Sequence, residues 1–169
     1  MKNPLILLLV LLTVLWATVS AQSIGVFTWD SKGKFTNVRN APNGKIIDRI
    51  PTSEAAMIGV EKPTDGWWKI VGDNYDTGDS QVKIKSSDTG CWIHYSVLAL
   101  GTRNYGNQKL TLRKSPDEKS AVVYQFTDEI LLRPLDIKGD WVKVKTIDGK
   151  YTGWIEEEWL CGNSLTNCC

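Results

Sequence analysis

The chain reads as an all-β protein built from two tandem small barrels behind an N-terminal export signal. Three observations carry that reading. A set of short motifs occurs twice in the same order, several segments alternate polar and apolar residues with period two, and turn residues recur too often for long helices.

The repeat comes first. Val38-Arg39-Asn40-Ala41-Pro42 returns as Leu112-Arg113-Lys114-Ser115-Pro116, and Trp67-Trp68-Lys69-Ile70 returns as Trp141-Val142-Lys143-Val144, both 74 residues later. Thr89-Gly90-Cys91-Trp92-Ile93 returns as Thr152-Gly153-Trp154-Ile155, less one residue, and the Trp92/Trp154 match stands at an offset of 62. The first copy therefore carries about 12 additional residues, an insertion at about 71–88. Copy one spans 24–100 and copy two 105–161, with a cysteine-containing tail over 162–169.

The N-terminus sets the compartment. Lys2 precedes an apolar run from Pro4 to Ala17, and Val19-Ser20-Ala21 supplies the small residues that a signal peptidase reads. Residues 1–21 are expected to be a cleaved signal peptide, leaving no transmembrane segment and an exported chain, periplasmic or extracellular. Cys91, Cys161, Cys168 and Cys169 all follow the signal, and an even count in an exported chain favours disulfides. Four cysteines allow three pairings. The Gly162–Asn167 segment can turn back so that Cys161 reaches Cys168 or Cys169, and a bridge to Cys91 requires the tail to pack on copy one.

Charge narrows the partners. The chain has 20 Lys and Arg against 19 Asp and Glu, and loss of Lys2 with the signal balances them. A neutral chain with only short basic runs argues against nucleic acid and anionic membranes, which demand clustered positive charge.

Elements follow from local pattern. Val82-Lys83-Ile84-Lys85 and Trp141-Val142-Lys143-Val144-Lys145 alternate as half-buried strands. Asn43-Gly44 and Asp148-Gly149 mark hairpins. Pro42, Pro51, Pro63, Pro116 and Pro134 punctuate the chain. Many short strands in copies of about 60 to 75 residues mean small barrels or sandwiches, with tryptophan supplying much of the buried area.

The order Val-Arg-x-x-Pro, Gly-x-Trp-x-Lys-Val and Thr-Gly-Trp-Ile resembles the bacterial SH3 domain family. Copy two carries it as Leu112-Arg113-Lys114-Ser115-Pro116, Gly139-Asp140-Trp141-Val142-Lys143-Val144 and Gly153-Trp154-Ile155, and copy one matches less cleanly. The resemblance implies SH3-like barrels and a role in binding cell-wall peptidoglycan. The family often accompanies NlpC-type peptidases.

Candidate site residues come from alternation. With Val142 and Val144 facing the core, Trp141 and Lys143 face outward, and Trp67 with Lys69 should do the same. An outward tryptophan is either a stacking platform for a sugar or peptide, or a lid over a small barrel. Tyr75 and Tyr151 are further candidates for ligand contact, and Trp68, in the place of Val142, belongs to the core.

Catalytic and metal motifs are thin. Cys91 and His94 are three apart, yet the position matching His94 is Glu156, and a polar turn accounts for both. Asp73, Asp76 and Asp79 lack the spacing of a calcium loop and read as a solvated turn. No nucleophile elbow, zinc helix or glycine-rich phosphate loop occurs, so neither metal nor cofactor is expected. The expectation is a non-catalytic exported module that binds cell-wall peptidoglycan or a related envelope glycan or peptide. The alternative is a structural or protein-interaction module of the envelope.

Overall fold

The computed structural model describes residues 22–165; the expected signal peptide over 1–21 and the cysteines at 168 and 169 lie outside them. The fold is all-β and antiparallel, of the SH3-like kind. Fifteen strands occur among the described residues: β1 (Ser23–Thr28), β2 (Phe35–Arg39), β3 (Ile46–Pro51), β4 (Met57–Thr64), β5 (Trp67–Ile70), β6 (Asn74–Asp76), β7 (Gln81–Lys83), β8 (Trp92–His94), β9 (Leu98–Thr102), β10 (Leu110–Arg113), β11 (Val122–Phe126), β12 (Leu131–Lys138), β13 (Trp141–Thr146), β14 (Thr152–Glu156) and β15 (Leu160–Cys161). Short 3-10 turns, Tyr95–Val97 and Glu157–Trp159, precede β9 and β15. No helix among the described residues is long and apolar enough to cross a membrane.

One pairing scheme occurs twice. In the first half β1 pairs β4, β4 pairs β5, β5 pairs β8, β8 pairs β2 and β2 pairs β3. In the second half β9, β12, β13, β14, β10 and β11 pair in the same sequence. The register repeats as well. Val60 stands opposite Ile70 as Pro134 stands opposite Val144, and Arg39 opposite Trp92 as Arg113 opposite Trp154. A ladder irregularity follows Val38 and Leu112 alike, bending both strands at the arginine of the motif.

The halves are joined by a shared strand. Residues 98–99 of β9 close the first half on β1, through Leu98–Thr28 and Ala99–Phe27. Residues 100–102 of the same strand open the second half, where Leu100 and Gly101 pair with Leu132 and Leu131 on β12. β15 then closes the second half on β9 as β9 closes the first on β1. Strand pairing thus runs past the expected end of copy one at residue 100 and breaks only after Thr102. Buried main-chain groups must find hydrogen-bond partners, and a continuous strand supplies them across the junction where a linker would leave them bare. The indole of Trp68 adds a cross-half bond, donating to the Pro134 carbonyl at 3.2 Å.

The hairpins form where the turn residues predict. Asn43 takes φ 56° ahead of Gly44, and Gly149 takes φ 77° after Asp148, conformations that asparagine and glycine adopt at low cost. Alternation sets the core: Val142 and Val144 are fully buried while Trp141, Lys143 and Lys145 are half-buried. Gly153 is required by packing. A Cβ there would lie 2.9 Å from both the Arg113 carbonyl oxygen and Leu112 Cβ, because β14 crosses close over β10. At the matching place in the first half stands Cys91, fully buried in the core.

The insertion has structure of its own. β6 and β7 form a hairpin on the edge of β4, with Met57 opposite Asp76. Tyr75 and Ile84 turn inward and join the core. The solvated turn expected over 73–79 is therefore part strand, Asn74–Asp76, between a turn at Asp73 and the Thr77–Ser80 tip.

Candidate functional site

The two tryptophans expected to face outward have different fates. Trp67 is 8% exposed and is no open platform. The Arg39 guanidinium lies 5.7 Å from its ring centre, and the His94 ring meets it edge-on at 5.0 Å. Tyr95 follows at 4.6 Å from His94. Gly66, at φ 81°, makes room, since a Cβ there would lie 3.0 Å from the Tyr95 ring. Lys69 is also occupied, with Nζ 3.9 Å from Glu61 and its stem packed over Gly90. The outward side of β5 is a closed lid.

In the second half the same positions leave the tryptophan accessible. Glu156 stands where the first half has His94, so no second ring seals Trp141. Trp141 is half-buried on the wall of a groove of about 300 Å³, with Arg113, Glu118, Glu156 and Trp159 around it. The Trp159 indole donates to Glu156 Oε2 at 3.2 Å, which fixes both. Arg113 is held by its bond from Nη1 to the Ser120 carbonyl at 3.0 Å, as Arg39 is held on Gly44 in the other half. Two half-buried indoles line the groove together with an arginine and carboxylates. That combination suits a sugar ring or a short peptide. Trp159 was visible in the sequence only as a tryptophan without a spacing argument; its contact with Glu156 across the 3-10 turn gives it a place in the groove.

The remaining candidates divide. Tyr75 is 7% exposed, so it serves the core and not a ligand. Burial, with Glu54 and Asp48 nearby, pushes its phenol above the usual range. Tyr151 is 37% exposed and stacks on Tyr124 at 4.1 Å, which in turn stacks on Phe126 at 5.5 Å. This ladder is separate from the lining of the Trp141 groove. Lys143 stays half-buried on the outer face of β13, opposite Trp154.

The cysteines correct one expectation. Cys91 is a free thiol, so no Cys91 bridge forms. Its sulfur is enclosed by the core and donates to Asp73 Oδ1 at 3.4 Å. Burial first, then the bond and charge of Asp73, push the thiol up to about 12. A thiol so held is protonated at neutral pH and makes a poor nucleophile. His94 does not serve it: Nδ1 of the ring is within 2.8 Å of Ser96 Oγ, and burial lowers its pKa. Cys161 is buried, and the Asn163 N–H donates to its sulfur at 3.4 Å. Among the described residues no three His, Cys, Asp or Glu side chains gather as a metal site.

Two solved structures resemble the chain weakly. NlpC1 from Trichomonas vaginalis aligns over 85% of this chain and 47% of its own, at 11% identity and a TM-score of 0.31. NlpC2 from the same organism aligns over 83% and 48%, also at 11% and 0.31. The chain spans about half the length of either, and a TM-score of 0.31 carries no argument about fold or function. A search of curated proteins gave no match. The second half is where a family is found: residues 108–160, which hold the Trp141 groove, match the bacterial SH3 domain family.

Proposed function

We propose that this protein is an exported, non-catalytic binding module of two tandem bacterial-SH3-like units, and that it recognises cell-wall peptidoglycan or a related envelope glycan-peptide through the Trp141 groove. The observation that carries the reading is the accessible Trp141–Trp159 pair inside the segment that matches the bacterial SH3 family. The repeated pairing scheme supports the tandem. The apolar run before Ala21 supports export, and in an oxidising compartment Cys161 would close a small loop with Cys168 or Cys169. Such a loop stabilises by roughly 2–3 kcal/mol on the chain-entropy model.

The difference between the units makes recognition one-sided. Trp67 is sealed by Arg39 and His94, whereas Trp141 is not. One module therefore binds and the other serves as its support. The alternative, a protein-interaction module of the envelope, draws on the insertion hairpin, which only the first unit carries. Sedimentation of the mature protein with purified peptidoglycan sacculi tests the primary reading. Retention that digestion of the sacculi abolishes is the expected result, and no retention at low salt would exclude it.

A further inference from the structure

A second crevice, of about 390 Å³, opens where the halves meet, and its chemistry is unlike that of the tryptophan groove. The first half lines it with the loop after β1 and the 3-10 turn Tyr95–Val97; the second lines it with β12 and the β13–β14 hairpin. Three cations reach it: Lys32, Arg133 and Lys145. Arg133 is foreign to the repeated scheme, since the residue 74 positions earlier is Gly59. Its Nη1 donates to the Leu98 carbonyl at 2.6 Å and to the Trp29 carbonyl at 2.9 Å. Both bonds leave from one nitrogen, so the planar fork is fixed in place while Nε and Nη2 make no hydrogen bond among the described residues. Burial of the fork lowers its pKa, against the nearby Asp30 and Tyr95.

The two carboxylates of the crevice are already engaged. Asp30 accepts from the Lys32 N–H at 3.0 Å and from the Thr36 hydroxyl at 3.4 Å. Asp148 accepts from the Thr146 hydroxyl at 2.6 Å and the Lys150 N–H at 3.1 Å, and pairs with Lys150 Nζ at 3.1 Å. Among the described residues none of the three cations has a carboxylate within 4.0 Å. A guanidinium half-removed from water, with donors to spare and two lysines beside it, is stabilised most by an anion that accepts from the fork in its plane. Exposed Ile147 on the rim gives such an anion an apolar neighbour.

The geometry points to a binding site for a carboxylate carried by a short peptide, seated between the two units against Arg133, Lys145 and Lys32. This deepens the glycan-peptide reading above and rests on it: the groove would take one part of the ligand and the crevice an acidic end of its peptide. The volume lies at the small end of ligand pockets, enough for a peptide terminus.

The test compares acetyl-dialanine bearing a free C-terminal carboxylate with its C-terminal amide, titrated into the mature protein and followed by backbone amide NMR shifts. The acid should move resonances of Tyr95–Val97 and Ile147–Gly149 and bind at least tenfold tighter than the amide, a margin of about 1.4 kcal/mol that one charge-assisted bond supplies. Arg133→Gln should erase that preference. Because Arg133 also ties the halves together, Lys145→Gln, at a half-buried residue whose side chain makes no hydrogen bond among the described residues, serves as the second variant and should reduce the preference about threefold. Equal binding of acid and amide, or full preference retained in Lys145→Gln and Arg133→Gln, would overturn the site. Inorganic phosphate binding the same resonances more tightly than the acid would overturn the peptide assignment. Retention on sacculi that depends on Trp141 but not on Arg133 would leave the proposed function standing and remove this site alone.

Discussion

Single residues set what is open and what is sealed. Trp67 under its arginine and histidine is a core residue in all but name, so Trp67→Ala should cost about 3–5 kcal/mol, the range for removing a large buried aromatic, as read from denaturant unfolding. Cys91 should resist alkylation. Iodoacetamide at pH 8 should leave it unmodified in the folded protein and label it once the chain is denatured; rapid labelling of the native state would contradict its burial. The sign of its pH effect follows from the raised pKa. Stability owed to the protonated thiol is complete below the ordinary thiol value of 9.0 and is lost as pH climbs towards about 12. Asp148 works in the other direction. Bonds from Thr146 and Lys150 hold its carboxyl at about 2, so its contribution to the β13–β14 hairpin is present above the ordinary value of 3.8 and disappears as pH falls towards 2. Carboxyl NMR titration should find that midpoint, and a midpoint near 4 would show the turn to be unformed.

At the scale of elements, much was legible because it is local. The Asn-Gly and Asp-Gly hairpins, the inward valines of β13 and the burial of Trp68 follow from turn chemistry and period-two alternation, which need no knowledge of the rest of the chain. Trp67 and Trp141 share that pattern, and alternation placed both on the outer face. The pattern could not distinguish them, because the lid over Trp67 comes from Arg39 on β2 and His94 on β8, distant in sequence. The burial of Tyr75 was hidden for a similar reason: its hairpin reads as polar and turn-rich, and only docking on β4 turns the ring inward. The glycine of the Thr-Gly-Trp-Ile motif has a physical cause in the crossing of β14 over β10. Gly153→Ala should therefore destabilise by about 1–3 kcal/mol, the usual cost of overpacking, as measured by the midpoint of urea unfolding. A neutral substitution would mean that the strands separate there more freely than the 2.9 Å contacts allow.

The whole molecule is organised by β9, which ends one pairing scheme and begins the next. Gly101, Asn104, Gly106 and Asn107 mark a break in composition without revealing which backbone groups still pair. A shared strand, the Trp68–Pro134 bond and the Arg133 bonds to Trp29 and Leu98 couple the halves. Thermal unfolding should accordingly be a single transition whose calorimetric and van't Hoff enthalpies agree. Of the matched tryptophans Trp67 and Trp141 only the second is left accessible, and that asymmetry is the centre of the functional account. The most direct measurement is the affinity of Trp141→Ala for purified peptidoglycan, taken beside the unaltered protein at equal folded fraction. The account predicts a loss of about 1–3 kcal/mol, in the range of an aromatic hot spot, with the unfolding midpoint almost unchanged. Undiminished binding by a folded Trp141→Ala protein would contradict it.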